Sequence, residues 1–225
     1  MFREERRASG VQFGQRGADT VCNVQSESGR RAPVSATVKS AVAKAGHDYM
    51  RAAYGHSVWS HMLDMLSPDE RDAVASLDSM PNFPVAVDGK VFEALVAVQF
   101  HGSRRTAEAE LRKGGAAQAD AMLDGLFSIF ARFVSPQQAF NRGGSILTSV
   151  YSRDVASRTE PAADGSGGAI RVLGLGASTY IAPWQCGWME RAAVRFGASN
   201  ARVTERMWES GLNASSELVY DVRWE

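Results

Sequence analysis

The hydrophobic pattern of this chain changes near residue 148, from helical spacing to strand alternation around a single further helix, and that change constrains the fold more than any other feature. Before it, apolar residues recur every three to four positions, the spacing of helices. After it they alternate, the spacing of strands. The alternation is cleanest at the end, where Leu218, Tyr220, Val222 and Trp224 interleave with Val219, Asp221, Arg223 and Glu225. Such a segment predicts a strand.

The front half, about 38 to 147, reads as helices. Val38, Val42, Ala45, Tyr49 and Ala53 share one helical stripe, and Gly55 follows as a stop. A second helix carries Val58, Trp59, Met62, Leu63 and Leu66. Ser67-Pro68-Asp69-Glu70 then starts another, with Ser67 as cap, Pro68 at the first helical position and Glu70 three residues after the cap. Pro81 and Pro84 forbid helix between them. After Asp88 comes the stripe Val91, Leu95, Val98. Arg104 to Ala121 predicts a polar, exposed helix, interrupted at Gly114-Gly115. Met122 to Val134 is the most apolar segment and is expected at the centre. Ser135-Pro136 caps a further helix bearing Ala139, Phe140 and Ile146.

Beyond the switch, Tyr151, Val155 and Thr159 predict one strand and Ala169 to Leu175 its hairpin partner, with the turn at 164–168. Ala182 to Phe196 reads as a helix with Trp184, Trp188, Ala192 and Phe196 on one face and Gly197 as its stop. Ala201 to Trp208 is a third strand, and 210–213 a turn into the last. The order β-β-α-β-β predicts an α+β fold: a four-stranded antiparallel sheet in the C-terminal half, packed against a helical N-terminal half.

Length and charge narrow the class. A chain of 225 residues, 44% hydrophobic and 22% charged, can bury a real core. Residues 1–33, rich in Arg, Gly, Ser, Gln and Glu without a period, read as a flexible tail. Their arginines (Arg3, Arg6, Arg7, Arg16, Arg30, Arg31) leave a partner-binding arm as the alternative. The remaining 34–225 reads as a single domain. Lys+Arg and Asp+Glu are 25 each, so no basic excess points to nucleic acid. No window has the roughly 18 apolar residues of a spanning helix, and the N-terminus lacks the apolar stretch of a signal peptide. The expected compartment is the cytoplasm, where the sequon Asn213-Ala214-Ser215 would go unused.

Motifs for chemistry are weak. The histidines are His47, His56, His61 and His101. On a helix His56 and His61 differ by about 140°, so they share no face, and a zinc site needs converging ligands. They read as surface or satisfied histidines. Haem needs only one axial histidine, but no CxxCH is present. Gly174-Leu175-Gly176 and Gly89-Lys90 lack the remainder of a dinucleotide loop and a P-loop. No GxSxG or SxxK marks a nucleophile. Two cysteines, Cys22 and Cys186, exclude a disulfide scaffold, and Cys186 reads as a small buried hydrophobe. The expectation is no enzyme, no metal and no cofactor.

What stands out is aromatic. Phe127, Phe130, Phe133, Trp184 and Trp188 come from the two most apolar helices. If those helices face each other, the five either close a dry core or line a pocket for an apolar ligand. A pocket requires a closed cavity of about 300 Å³ or more beside Trp188, and a solidly packed core counts against it.

Several stretches in order carry a resemblance: Leu66-Ser67-Pro68-Asp69-Glu70-Arg71, Phe83-Pro84 before a helix, Phe127 to Pro136, Tyr151, Gly187-Trp188-Met189-Glu190-Arg191 with Gly197, and Val222-Arg223-Trp224. Their order and spacing resemble a paralogous family of unknown function abundant in myxobacteria. That family is similar to the 4-vinyl-reductase-like and haem-NO-binding-like domains, which share the fold of the TRAPP vesicle-tethering subunits. The resemblance spans about 38 to 225. It implies a four-stranded sheet with helices against it, dimerisation through the early helices, and a ligand-binding or protein-interaction role in signalling. Vinyl-reductase-like domains often carry cysteines on the last two strands, and this chain has none there. The histidine that holds haem in haem-NO-binding domains has no matching position. The expected function is a non-enzymatic small-molecule-binding sensory module, a cytoplasmic homodimer with an apolar pocket at Phe127, Phe130, Phe133, Trp184 and Trp188. The alternative is a protein-interaction adaptor with a filled core and no ligand.

Overall fold

The helical half opens with a short strand that periodicity does not reveal. β1 (Thr37–Lys39) pairs antiparallel with β2 (Asn82–Pro84), Val38 opposite Phe83. Val38, expected on the first helix, therefore lies in a strand, and the proline segment expected only as a helix break supplies its partner. Pro81 and Pro84 hold the backbone extended, and Phe83 is fully buried. The computed structural model describes residues 36–125, 134–152, 154–175, 180–206 and 217–225, all within the compact unit Val34–Glu225. The tail expected at 1–33, the segment 126–133 with Phe127, Phe130 and Phe133, and the turn at 210–213 lie outside the described residues.

α1 (Ser40–Asp64) bends at Gly55, whose φ of 82° and ψ of 169° are not helical, so the expected stop is a kink between two helical stretches. α2 (Pro68–Ala75) begins with the predicted reciprocal cap. Ser67 Oγ accepts from the Glu70 N–H, and the Glu70 carboxylate accepts from the Ser67 N–H at 2.8 Å. α3 (Val85–Phe100) starts before Asp88 and buries Val91, Phe92 and Leu95. Each such side chain contributes roughly 1.5–3 kcal/mol by leaving water.

α4 (Arg104–Asp124) corrects two expectations. It runs unbroken through Gly114-Gly115, and it is not an exposed helix: Ala107, Leu111, Gly114, Gly115, Gln118, Ala119 and Leu123 are buried. Large apolar residues are few in it, but its small and apolar residues fall on one stripe, and that stripe decides its place. Ser135 caps α5 (Pro136–Asn141) with Gln138 closing the box. The helix breaks at Arg142, so Ile146 belongs to α6 (Gly143–Val150).

The C-terminal half follows the predicted order: β3 (Ala156–Pro161), β4 (Gly167–Leu173), α7 (Ile181–Arg195), β5 (Arg202–Arg206), β6 (Glu217–Arg223). All pairings are antiparallel and the spatial order is β3-β4-β6-β5. Tyr151 is not part of the hairpin strand; it makes an isolated bridge to Val38. Trp224 lies just past β6, its N–H on the Ser166 carbonyl at 3.0 Å. Register places Ile170, Val172, Leu218, Tyr220, Val222 and Val203 on one face, all buried in the core. On the opposite face Arg171 bridges Glu160 and Glu217, each at 3.0 Å.

α7 lies between this sheet and α4. Glu190 fastens it at one end, accepting from Arg112 at 3.0 Å and from the Val203 N–H at 2.9 Å. On the α4 side, backbone meets backbone. A Cβ on Gly115 would overlap the Trp184 carbonyl, and a Cβ on Gly187 would overlap that of Arg112. Only glycine permits that approach.

Candidate functional site

The four-residue spacing of Trp184, Trp188, Ala192 and Phe196 turns one stripe of α7 toward the interior. Two cavities open along this stripe, and Trp188 belongs to both. The larger, open to the surface on one side, holds about 220 Å³. Its walls come from the end of α4, from α5 and α6, from α7, and from β4 and β6 with Trp224. Phe140, Ile170, Trp188, Phe196, Val222 and Trp224 make it almost wholly apolar. The Phe140 and Trp224 rings meet edge to face at 5.5 Å. Arg142, at the break between α5 and α6, is the one charged residue in the described wall.

The smaller cavity, about 60 Å³, lies between the helical half and α7. It is polar on one side, where Asp88, Gln118, Tyr151 and Gln185 meet. His47 Nε2 donates to Asp88 Oδ1 at 3.0 Å, and the buried imidazole packs at 5.4 Å from the Trp59 ring and 5.6 Å from Phe83. Its other nitrogen, Nδ1, is buried without a hydrogen-bond partner. Gln185 Nε2 donates to the Tyr151 hydroxyl at 2.9 Å, and Gln185 Oε1 accepts from the Tyr220 hydroxyl. Burial first, and the Asp88 carboxylate next, push the Tyr151 phenol well above its ordinary range; burial does the same to Tyr220. Both stay protonated donors at neutral pH.

Trp184 is placed differently from Trp188. Its indole is 3% exposed and packs edge-on against Phe92 and Tyr49, at 5.0 and 5.8 Å between centroids. Its Nε1–H donates to Gln118 Oε1 at 2.8 Å, and Gln118 Nε2 donates to the Val42 carbonyl at 2.7 Å. Trp184 borders the small cavity but not the large one. Of the five aromatic residues proposed from sequence, Trp188 alone is described on the larger cavity's wall, and Phe127, Phe130 and Phe133 lie outside the described residues. The larger side chains of the wall that sequence reasoning missed include Phe140, Phe196, Val222 and Trp224. For three of them a signal is present in the sequence: Phe196 continues the α7 stripe, and strict alternation puts Val222 and Trp224 on the face of Tyr220.

Other candidate groups are structural. Cys186 is buried, and its thiol donates to Glu205 Oε2 at 3.1 Å. Burial first, and the Glu205 charge next, raise that thiol far above its ordinary range, the opposite of an activated nucleophile. His56, His61 and His101 are exposed. Among the described residues no cluster of three or more His, Cys, Asp or Glu is placed to hold a metal, and no helix is long and apolar enough to cross a membrane.

No family model matches the chain, and no curated protein matches it. Solved structures do. An H-NOX protein from K. algicida, in its Fe(II) unliganded form, is 11% identical over 83% of this chain and 96% of its own, with a TM-score of 0.57. The chain shares the H-NOX fold. A mutant H-NOX from T. tengcongensis is 14% identical over 83% of this chain and 97% of its own, at a TM-score of 0.57. An oxygen-binding H-NOX domain related to soluble guanylate cyclases, in its oxygen complex, is 13% identical over 83% and 95%, at 0.54. The haem-NO-binding-like architecture expected from the sequence resemblance is thereby found as a fold. At these identities the likeness extends no further than architecture.

Proposed function

We propose that this chain is a non-enzymatic sensory module that binds a small apolar molecule in the larger cavity, beside Trp188. One observation carries the proposal: a cleft of about 220 Å³, open on one side, with an almost entirely apolar wall. The expected closed cavity of about 300 Å³ or more is not met, which counts against a drug-sized ligand and restricts the proposal to a smaller molecule. A dry cavity of about 150 Å³ lined by Leu, Ile and Phe binds benzene. A ring with a short substituent is the scale that fits.

Haem, which the H-NOX fold brings to mind, does not fit the residues present. All four histidines are among the described residues. His47 is engaged by Asp88 and enclosed by Trp59 and Phe83, the other three are exposed, and none lines either cavity. No described histidine, cysteine or tyrosine lines the larger cavity, and Met189, which does, ligates haem as the companion of a histidine that the described wall lacks. Between the helical half and α7, the Trp184 indole fills the space against Gly46 and Gly114.

The proposal includes a homodimer, the state implied by the sequence resemblance, and a place in the cytoplasm, the compartment expected of a chain with few cysteines. Its test is native mass spectrometry of the freshly purified full chain, combined with thermal melts in the presence of small apolar probes such as propylbenzene. A bound small molecule, or a melt raised by the probe and lost in Ala193→Phe, which fills the wall from α7, supports it. A ligand-free protein indifferent to every probe overturns it. Sedimentation equilibrium tests the dimer separately.

A further inference from the structure

Asp88 is 8% exposed, yet its carboxylate has one hydrogen-bond partner among the described residues. His47 Nε2 donates to Oδ1 at 3.0 Å, whereas a carboxylate can accept at about four sites. The amides on the same smaller cavity have both their oxygen and their nitrogen engaged. Gln118 holds Trp184 and the Val42 carbonyl, and Gln185 holds Tyr151 and Tyr220. The Tyr151 phenol feels the Asp88 charge, so carboxylate and hydroxyl approach each other at the cavity that both residues line. No described Lys or Arg lines it. His47 is poorly placed to supply a cation, because a proton on Nδ1 would be a buried N–H without an acceptor. The smaller cavity, partly open to the surface, thus presents a buried carboxylate with acceptor sites to spare and no described cation on its wall.

We propose that the smaller cavity is a binding site for a small primary ammonium ion, its N–H donors on the Asp88 carboxylate and the Tyr151 hydroxyl oxygen, its short apolar remainder against Phe92, Trp184 and Trp188. The site meets the larger cleft only at Trp188 and Met189, which border both, and it does not depend on a ligand there. A buried charge is costly unless it is paired and hydrogen-bonded. A ligand cation pairs with Asp88, and a neutral molecule of the same size does not. The Tyr151 oxygen keeps a second lone pair beyond the one that Gln185 occupies. The aromatic lining adds the attraction of π systems for a cation. Size limits the rest of the ligand. The cavity holds about 60 Å³, and a single water needs at least about 10–15 Å³ of such space. About four to six heavy atoms therefore fit, which is a nitrogen with a short alkyl chain.

The experiment is an NMR titration of the full chain at pH 7 with propylammonium, 1-propanol and propanoate, following the indole N–H signals. The Trp184 signal, reporting from the cavity wall, is assigned by its loss in Trp184→Phe. Propylammonium should shift that signal saturably and bind about tenfold or more tightly than 1-propanol, the scale of one charge-assisted contact, and propanoate should not bind. Asp88→Asn keeps an oxygen for the His47 N–H and removes the charge. It should abolish the preference for the ammonium and leave the alcohol unchanged. Should that variant fail to fold, the three probes on the parent chain decide alone. 1-Propanol binding as tightly as propylammonium, or a preference that survives Asp88→Asn, overturns the ammonium site. The absence of a saturable shift with every probe shows a cavity that holds water only, and overturns it equally. Propylbenzene binding in the larger cleft should be indifferent to Asp88→Asn, so failure here leaves that site standing.

Discussion

The carbonyl of Trp184 lies directly over Gly115, so close that a Cβ on that glycine would overlap the oxygen. A carbonyl in a helix cannot rotate aside as a side chain can, so α4 and α7 must move apart to admit even a methyl group. Gly115→Ala should therefore cost about 3 kcal/mol of unfolding free energy, the upper part of the range for overpacking. Gly187→Ala meets the Arg112 carbonyl from the other side and should cost about the same. Because one separation relieves both clashes, the double variant should lose less than the sum. Urea denaturation of the three variants measures this.

A second prediction concerns Trp184 and Gln118. Trp184 Nε1–H on Gln118 Oε1, at 2.8 Å, is a buried hydrogen bond between α7 and α4. Trp184→Phe keeps a ring but leaves that oxygen without its donor and opens a small void. The expected loss is about 2–4 kcal/mol. Gln118→Leu strands the indole N–H instead, and a double-mutant cycle should show coupling of about 1 kcal/mol or more. Additive losses would mean that the bond contributes nothing beyond packing.

Much of this architecture was legible because local chemistry agreed with the fold. The Ser67 and Ser135 caps, the Gly197 stop at φ 95° and the alternation through Tyr220 and Val222 each follow from a few neighbouring residues. What escaped depended on contacts distant in sequence. β1 is a strand because Phe83 lies opposite Val38, and nothing within three residues announces that. α4 looked exposed because it is rich in Ala, Glu, Arg and Gln and has few large apolar residues, while much of the surface it buries is made of Gly114, Gly115 and Ala119, whose small size matters only once α7 is beside them. The site divided the same way. Trp188 could be named from its helix, whereas Phe140, Arg142 and Trp224 meet only through the pairing of β4 with β6 and the break between α5 and α6.

Cys186 offers a chemical test of the interior. Its thiol is buried and pushed far above its ordinary range, so almost no thiolate exists at neutral pH. In a Cys22→Ser background, the native protein should react with an aromatic disulfide reagent only at the rate of its opening, and at once in denaturant. Adding urea below the unfolding midpoint should accelerate the native reaction in step with the unfolded fraction. Fast labelling of the folded protein would place α7 in contact with water.

The acid stability of the α4–α7 contact can be predicted in sign. Asp120 accepts from Arg191 at 2.8 and 2.9 Å and from Arg195 at 3.0 Å. Burial opposes its charge, but the hydrogen bonds and charges of the two arginines outweigh that and hold its carboxyl below the ordinary carboxylate range. A carboxyl whose folded value is depressed stabilises fully above its unfolded value, about 3.9, and loses that contribution as pH falls through the folded value. The pair is partly exposed, so its worth at neutral pH is roughly 0.5–1 kcal/mol. Asp120→Asn should accordingly be less stable than the parent by about that amount near pH 6 and nearly equal to it near pH 2, with the difference closing below about pH 4. Added salt at pH 6 should shrink the gap in the same direction. Denaturation midpoints of parent and variant across this range measure it, and parallel curves at all pH values would show that Asp120 holds the helices by packing rather than by charge.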